Sequence, residues 1–299
     1  GGIVGFLRSI GFAINMVRPT RTIIVFDGKG GSNRRRKIFP EYKAGRKMSL
    51  RLNRSDGISL TRADEHKMMI AQLNRVIEYL ELLPLTITTA ENIEADDVIG
   101  YSAKHVFKDK VTIMSTDKDF LQLVDDRISV WSPTKKKMYD QEKILEEYGI
   151  SSTNFLLFRT MDGDKSDGIP GIKGAGIKTL LKLFPWLESP HKFTIEDVLK
   201  SAESKKKQFK LCEVITNSSD QLLLNKKLMD LDEINISGSS KLKIQEICGN
   251  PIQRLVKHIF QKKFLEDKLY TALPNLDSWL HTTFNRLNFM AEKTHGTKT

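Results

Sequence analysis

The chain predicts an α/β fold, a mostly parallel central sheet flanked by helices, because strand-like and helix-like runs alternate along its first half and two of the strand-like runs end in an acid. "RTIIVFD" (21–27) is short, β-branched and closes on Asp27. "LTITTA" (85–90) alternates, "KVTIMSTD" (110–117) closes on Asp117, and "RISVWS" (127–132) makes a fourth strand. Helical patterns lie between them at 61–83, rich in Met, Leu and Ile at spacings of three and four, at 95–107 and at 140–148. Ahead of the first strand, Ile3, Phe6, Leu7, Ile10, Ile14 and Val17 recur at helical spacing and read as one buried helix face. A signal peptide is the other reading of that apolar opening, but Arg8 interrupts it and no small-residue cleavage site follows.

At 299 residues the chain has material for one large or two modest domains. Hydrophobic residues at 39% and charged residues at 28% describe a globular protein, and no run of apolar residues is long enough to span a membrane. Cys212 and Cys248 make neither a metal-type cluster nor a disulfide framework, which favours a reducing, cytoplasmic setting. Lys and Arg outnumber Asp and Glu by 48 to 37, a net charge of +11, and a surplus of that size favours a polyanionic partner. It is concentrated in "RRRKIFPEYKAGRKMSLRLNR" (34–54), "TKKKM" (134–138) and "SKKKQFK" (204–210). The acids cluster elsewhere. The six histidines sit in no catalytic spacing.

In open α/β sheets ligands bind beyond the carboxyl ends of the strands. Asp27 and Asp117 close two strands, Asp119 follows two residues on, and "IEADD" brings Glu94, Asp96 and Asp97 to the start of the helix after "LTITTA". Capping of that helix explains an isolated acidic triplet. Several acidic clusters at strand ends point instead to a shared cation, since crowded carboxylates resist ionising together without one. A further cluster, "DGDKSD" (162–167), carries Asp164 and Asp167; it is not an EF-hand, which would need Gly where Asp167 stands and Glu where Lys173 stands. Oxygen-only donors select hard cations, Mg²⁺ or Mn²⁺ over Zn²⁺. Directly afterwards, "GIPGIKGAGIKTLLKLF" (168–184) breaks the backbone at Gly171, Gly174 and Gly176 and then turns helical, with Lys173 and Lys178 beside the break. This helix-hairpin-helix pattern grips a phosphate backbone without reading bases; an ordinary glycine-terminated helix pair is the plainer alternative.

"IVFD", "FPEYKAGR", "IEADD", "STDKDFLQLV" and "MDGDKSDGIPGIKGAGIKT" stand in the order and approximate spacing of the 5′-nuclease superfamily, and from about residue 2 to about 232 the chain resembles its phage flap endonucleases, its 5′-to-3′ exonucleases and the N-terminal nuclease domain of bacterial DNA polymerase I. The resemblance implies a PIN-like catalytic domain over 1–150 with a helical arch at about 34–70, a helix-hairpin-helix (H3TH) subdomain over 151–240, and a helical region of unknown role over 241–299. It implies a Mg²⁺-dependent phosphodiesterase that cuts DNA with 5′ flaps, forks or 5′ ends and RNA primers on DNA, in replication primer removal. Carried over by motif, Asp27, Glu94, Asp96, Asp97, Asp117, Asp119, Asp164 and Asp167 form the metal cage, with two or more Mg²⁺ for which Mn²⁺ substitutes. Lys43 and Arg46 match the basic pair at the scissile phosphate. Arg34, Arg35, Tyr42, Arg159, Gly171, Lys173, Gly174, Gly176 and Lys178 would contact DNA, Tyr42 by stacking and Arg159 as a phosphate contact where many relatives have Lys. A K⁺ ion at the hairpin, a single-strand-binding protein as a replication partner and a monomeric state complete what it implies.

Two features depart from the family pattern. The family has an additional strand ending in Asp-Gly ahead of the region matched here, and an N-terminally truncated fragment is the expectation. Gly168 stands where relatives place Asn and preserves the turn. A non-catalytic binder of branched DNA short of one ligand is the alternative to the enzyme; an RNA-cleaving nuclease fits the hairpin and "EYKAGR" poorly.

Overall fold

The structure, a computed structural model, describes residues 2–46, 61–234 and 236–296. In chain order the helices and strands are α1 (Gly2–Val17), β1 (Ile23–Asp27), α2 (Asn33–Ile38), α3 (Arg62–Leu80), β2 (Thr86–Ala90), α4 (Ala95–Tyr101), β3 (Val111–Met114), β4 (Ile128–Ser132), β5 (Lys137–Tyr139), α5 (Gln141–Tyr148) and α6 (Ser152–Asp162). Then follow α7 (Ile177–Leu183), α8 (Ile195–Lys205), α9 (Lys210–Thr216), α10 (Ser219–Met229), α11 (Gly238–Gly249), α12 (Lys257–Glu266) and α13 (Leu276–Gly296). Residues 47–60, within the expected arch, lie outside the described residues.

The chain divides into two compact units. One comprises Gly1–Phe26, Lys47–Thr89 and Glu246–Thr299, the other Asp27–Arg46 and Ala90–Gln245. In the first, Leu7, Ile10 and Ile14 of the face marked by periodicity are buried, with Val4 beside them and Ile3 and Phe6 partly buried, and they share a core with Tyr79 and Leu80 of α3, Phe260 and Phe264 of α12, and Leu280 and Phe284 of α13. The C-terminal helices, whose role the sequence left open, thus complete the core of the first helix. Gly11 lets α13 approach, since a Cβ there would stand 2.9 Å from the Trp279 indole nitrogen. At the start of α3, Thr61 and Asp64 form a capping box.

The strands fall where the sequence marks them but pair as two small sheets, one β1-β2 and the other β3-β4-β5, and not as one mostly parallel sheet. β3 and β4 are parallel with Val111 opposite Ile128, whereas β4 and β5 are antiparallel with Val130 opposite Tyr139. β5 escaped the sequence reading because three residues, "KMY", offer no alternation to read. The helix expected over 95–107 is α4 followed by a π-turn at Ser102–Val106.

In the second unit the core gathers on α6, whose Phe155, Phe158 and Met161 pack with Ile113, Phe120, Val130 and Leu180. The glycines after α6 have a steric reason. Gly163 has φ +73°, and a Cβ on Gly171 would lie 2.0 Å from the Asp162 carbonyl oxygen, so the two arms of the 163–171 turn touch backbone to backbone. Gly168, at φ +75°, suits the same turn.

Candidate active site

The second unit contains every residue of the candidate site. β1 delivers Asp27, whose Oδ1 accepts the Ala95 backbone N–H at 2.9 Å and satisfies a free donor at the start of α4. Glu94 occupies the N-cap position of that helix without capping it, and Asp96 and Asp97 fall in its first turn, where negative charge is favoured. β3 leads to Asp117, which accepts the Asp119 N–H at 2.8 Å and starts a 3₁₀ turn that carries Asp119 inward. The turn after α6 supplies Asp164 and Asp167. Asp96, Asp117, Asp119 and Asp167, from three separate stretches of chain, line one hollow together with Arg35 and Tyr42.

The acids divide by partner. Asp97 is fully buried and meets two of the three arginines of α2: Arg35 at 2.7 and 2.8 Å, and Arg34 at 3.0 Å to each oxygen. Arg35 also donates to Glu94 at 2.5 Å and to the Leu228 carbonyl at 2.7 Å, so its donors are spent inside the protein. Burial opposes its charge, but Asp97 and Glu94 outweigh burial and raise its pKa. Lys43 pairs with Glu94, and Arg46 with Asp167. Tyr42 is buried, with its hydroxyl donating to Glu94 at 3.0 Å, which puts it in the wall of the site instead of on a surface where a base would stack. Arg159 faces inward as well: it forks onto Asp119 at 2.6 Å, Asp164 at 2.8 Å, Asp162 at 3.0 Å and the Gly163 carbonyl at 2.8 Å.

Among the described residues Asp96 and Asp117 have no such base. Burial pushes the Asp96 carboxyl up to about 7, with Asp117, Glu94 and Asp27 adding repulsion against the pull of Lys43. Asp119 rises to about 6 through burial and the neighbouring Asp117 despite Arg159. Asp164 moves the other way, because the Ser166 hydroxyl and Arg159 overcome burial. Among the described residues no three His, Cys, Asp or Glu side chains close on one point to hold a metal ion. The donor chemistry nevertheless fits a hard divalent cation: oxygen ligands only, crowded enough that burial and mutual repulsion raise Asp96 and Asp119, a repulsion that a cation would relieve.

On the hairpin, Lys173 and Lys178 are exposed and make no ion pair among the described residues. Gly174 takes φ +91°, whereas Gly176 precedes α7 with open space where its Cβ would be. Asn225 and Gln221 of α10 both donate to the Pro170 carbonyl at 2.8 Å and hold the hairpin from behind. Neither stood out in the sequence. Nor did Gln122, which ties the Asp119 carbonyl to α10 through the Met229 carbonyl at 2.9 Å. A lone amide side chain has no pattern to betray it.

An α/β scaffold with an acidic hollow and basic residues at its edge is the class that fold and site define. Residues 1–149 match the family model described as "5'-3' exonuclease, N-terminal resolvase-like domain". A 5′-3′ exonuclease of Aquifex aeolicus is 28% identical over 274 residues, which cover 90% of this chain and 86% of that protein. DNA polymerase I of Bacillus subtilis is 29% identical over 248 residues, 79% of this chain and 26% of the polymerase. Among solved structures, the bacteriophage T5 D15 flap endonuclease, crystallised with DNA and metal ions, superposes with a TM-score of 0.62 at 21% identity over 88% of this chain and 90% of that one. The chain belongs to the 5′-3′ exonuclease family, and its kinship with those enzymes implies a nuclease. No helix among the described residues is long and apolar enough to cross a membrane.

Proposed function

We propose that the protein is a structure-specific 5′-nuclease, a flap endonuclease and 5′-to-3′ exonuclease that hydrolyses phosphodiesters in branched or 5′-ended DNA and in RNA primers on DNA. The observation that carries this reading is the convergence of Asp96, Asp117, Asp119 and Asp167 on one hollow, with Lys43 and Arg46 already paired to acids of the same cluster. Asp27, Glu94, Asp96, Asp117, Asp119, Asp164 and Asp167 would hold divalent cations, of which two would stabilise charge on the attacking and departing oxygens of an in-line displacement. Lys43 and Arg46 exchange their carboxylate partners for the scissile phosphate and neutralise charge that builds there. Arg35 and Arg34 keep Asp97 in place and so fix α2 against the start of α4. Lys173 and Lys178 of the hairpin grip the duplex backbone. Primer removal in replication is the role such cutting would serve.

Cleavage of a 5′-flap DNA in Mg²⁺, beside binding of the same DNA in Ca²⁺, tests the reading. The expected result is a product ending in a 5′-phosphate. Tight binding without any product would make the chain a binder of branched DNA instead.

A further inference from the structure

Asp117 borders a second hollow, and nothing in the proposed chemistry uses it. Its wall runs from the end of β3 through Ser132 at the end of β4 and the turn at Thr134 and Lys135, and its floor is Leu121 and Val130. Apart from Asp117, the polar groups that line it are hydroxyls and ammonium groups only, including Thr116 and Lys118. Two of the hydroxyl bearers belong to the interior: Ser132 is 6% exposed and Tyr139 2%. Among the described residues the Ser132 hydroxyl has one long contact, 3.5 Å to the Thr134 hydroxyl, which a better acceptor could replace.

Lys135 is held in place before any ligand arrives. Its Nζ donates to Glu147 at 2.8 Å and to the hydroxyls of Tyr139 and Tyr148 at 2.9 and 3.3 Å, and the Tyr139 hydroxyl donates to Glu147 at 3.0 Å, so Lys135 offers a ligand its fixed charge and not a free proton. Glu147 is shared with Lys137 at 3.1 Å, so this corner keeps a net positive charge after its internal pairing. The fixed charge of Lys135, the exposed ammonium group of Lys118 and the Ser and Thr hydroxyls suit an oxyanion; a cation would meet two ammonium groups and a single lining carboxylate, Asp117, and an apolar group would strand the hydroxyls. The "TKKKM" segment, read from the sequence only as one more basic run, forms this corner.

We propose that this hollow is a second phosphate subsite, which takes a non-scissile phosphate of the strand being cut. The inference rests on the nuclease reading, because Asp117 lines both hollows and so places the two phosphates at nearby positions on one strand. The phosphate is either a backbone group or a terminal 5′-phosphate, since both present the same oxygens.

The test uses flap substrates with a single neutral methylphosphonate at each position around the cut, and 5′-ended duplexes with a 5′-phosphate or a 5′-hydroxyl. In the parent protein, one non-scissile position should raise KM about tenfold with kcat little changed, the loss of one charged hydrogen bond. Lys118→Ala and Ser132→Ala should raise KM on the unmodified substrate, and the methylphosphonate should then add less than about twofold, because the interaction is already gone. Melting temperatures close to the parent's show that the variants fold. A penalty confined to the 5′-phosphate assigns the subsite to the chain end, and a penalty at an internal position assigns it to the backbone; both support it. Penalties that are the same in parent and variants at every non-scissile position overturn the subsite while leaving the nuclease intact. A parent that cuts no substrate refutes the nuclease reading itself.

Discussion

Around Arg35, Glu94 and Asp97 are neutralised by the protein, whereas Asp96, which lines the hollow with Asp117, is not. Asp97 receives two guanidinium groups in full burial, and Glu94 takes Arg35, Lys43 and Tyr42. Asp96 sits one residue from Asp97, lines the hollow with Asp117, and is held near a pKa of 7 by burial and repulsion. Neighbours in one helical turn therefore do opposite work. Asp97, in the paired half, is finished architecture that joins α2 to α4, whereas Asp96 and Asp117, the unpaired half, are crowded carboxyls without a guanidinium partner among the described residues, the condition that draws a divalent cation. Counting acids in a motif overstates the ligands, since Asp97 already faces two guanidinium groups.

The largest expected effect breaks the unpaired half. Asp117→Asn should lower kcat for flap cleavage by at least about 10³-fold, since transition-state charge stabilisation of several kcal/mol is lost. Removing one of the crowded charges should leave the metal-free protein as stable as before or more so, and DNA affinity in Ca²⁺ should fall far less than kcat. Single-turnover kinetics beside chemical denaturation measures both. A variant that loses stability and cleavage together would mean that Asp117 belongs with the architectural acids.

Arg35→Met tests the paired half. It leaves buried Asp97 with only Arg34, and breaking such a pair costs about 3–5 kcal/mol. Urea unfolding should show the loss, and Arg35→Met with Asp97→Leu should recover much of it, because neither charge is then stranded. Cation linkage follows with a smaller effect. Mg²⁺ at about a hundred times its Kd should add about 2.7 kcal/mol to the parent's stability, and Asp117→Asn should lose most of that gain while Arg35→Met keeps it. Melting scans with and without a chelator read the difference.

How far the sequence showed this depends on the kind of signal. Strand ends, the α1 face and the glycine hairpin were legible because period, β-branching and backbone permissiveness leave marks in one dimension. The site acids were legible as a group through motif order, and the hollow does gather Asp96, Asp117, Asp119 and Asp167. The division among them was not, because it depends on which arginine of "RRR" turns inward: Arg35 is 2% exposed, while Arg36 and Lys37 on the same short helix are exposed. Arg159 hid for the same reason, as a cation that reads like a DNA contact until its partners appear. The sheet was misjudged because pairing between distant strands leaves no local trace, and β5 is too short to declare itself.

The smallest effect concerns an acid far from either half in role, and it serves as the control for both. Burial alone would raise the Glu147 carboxyl, but Lys135, Lys137 and the Tyr139 hydroxyl bring it down to about 2. Its folded pKa lies below its unfolded one, so the ionised form contributes stability above the ordinary carboxylate range, and that contribution is lost as pH falls from about 4.5 toward about 2. Because the side chain is partly open to solvent, Glu147→Gln should cost no more than about 1 kcal/mol at neutral pH. In denaturant titrations the gap between parent and variant should close as the pH approaches 2, and it should be insensitive to Mg²⁺. A gap that widens in Mg²⁺ would place Glu147 among the groups that answer to the cation and blur the line between structural and ligating acids.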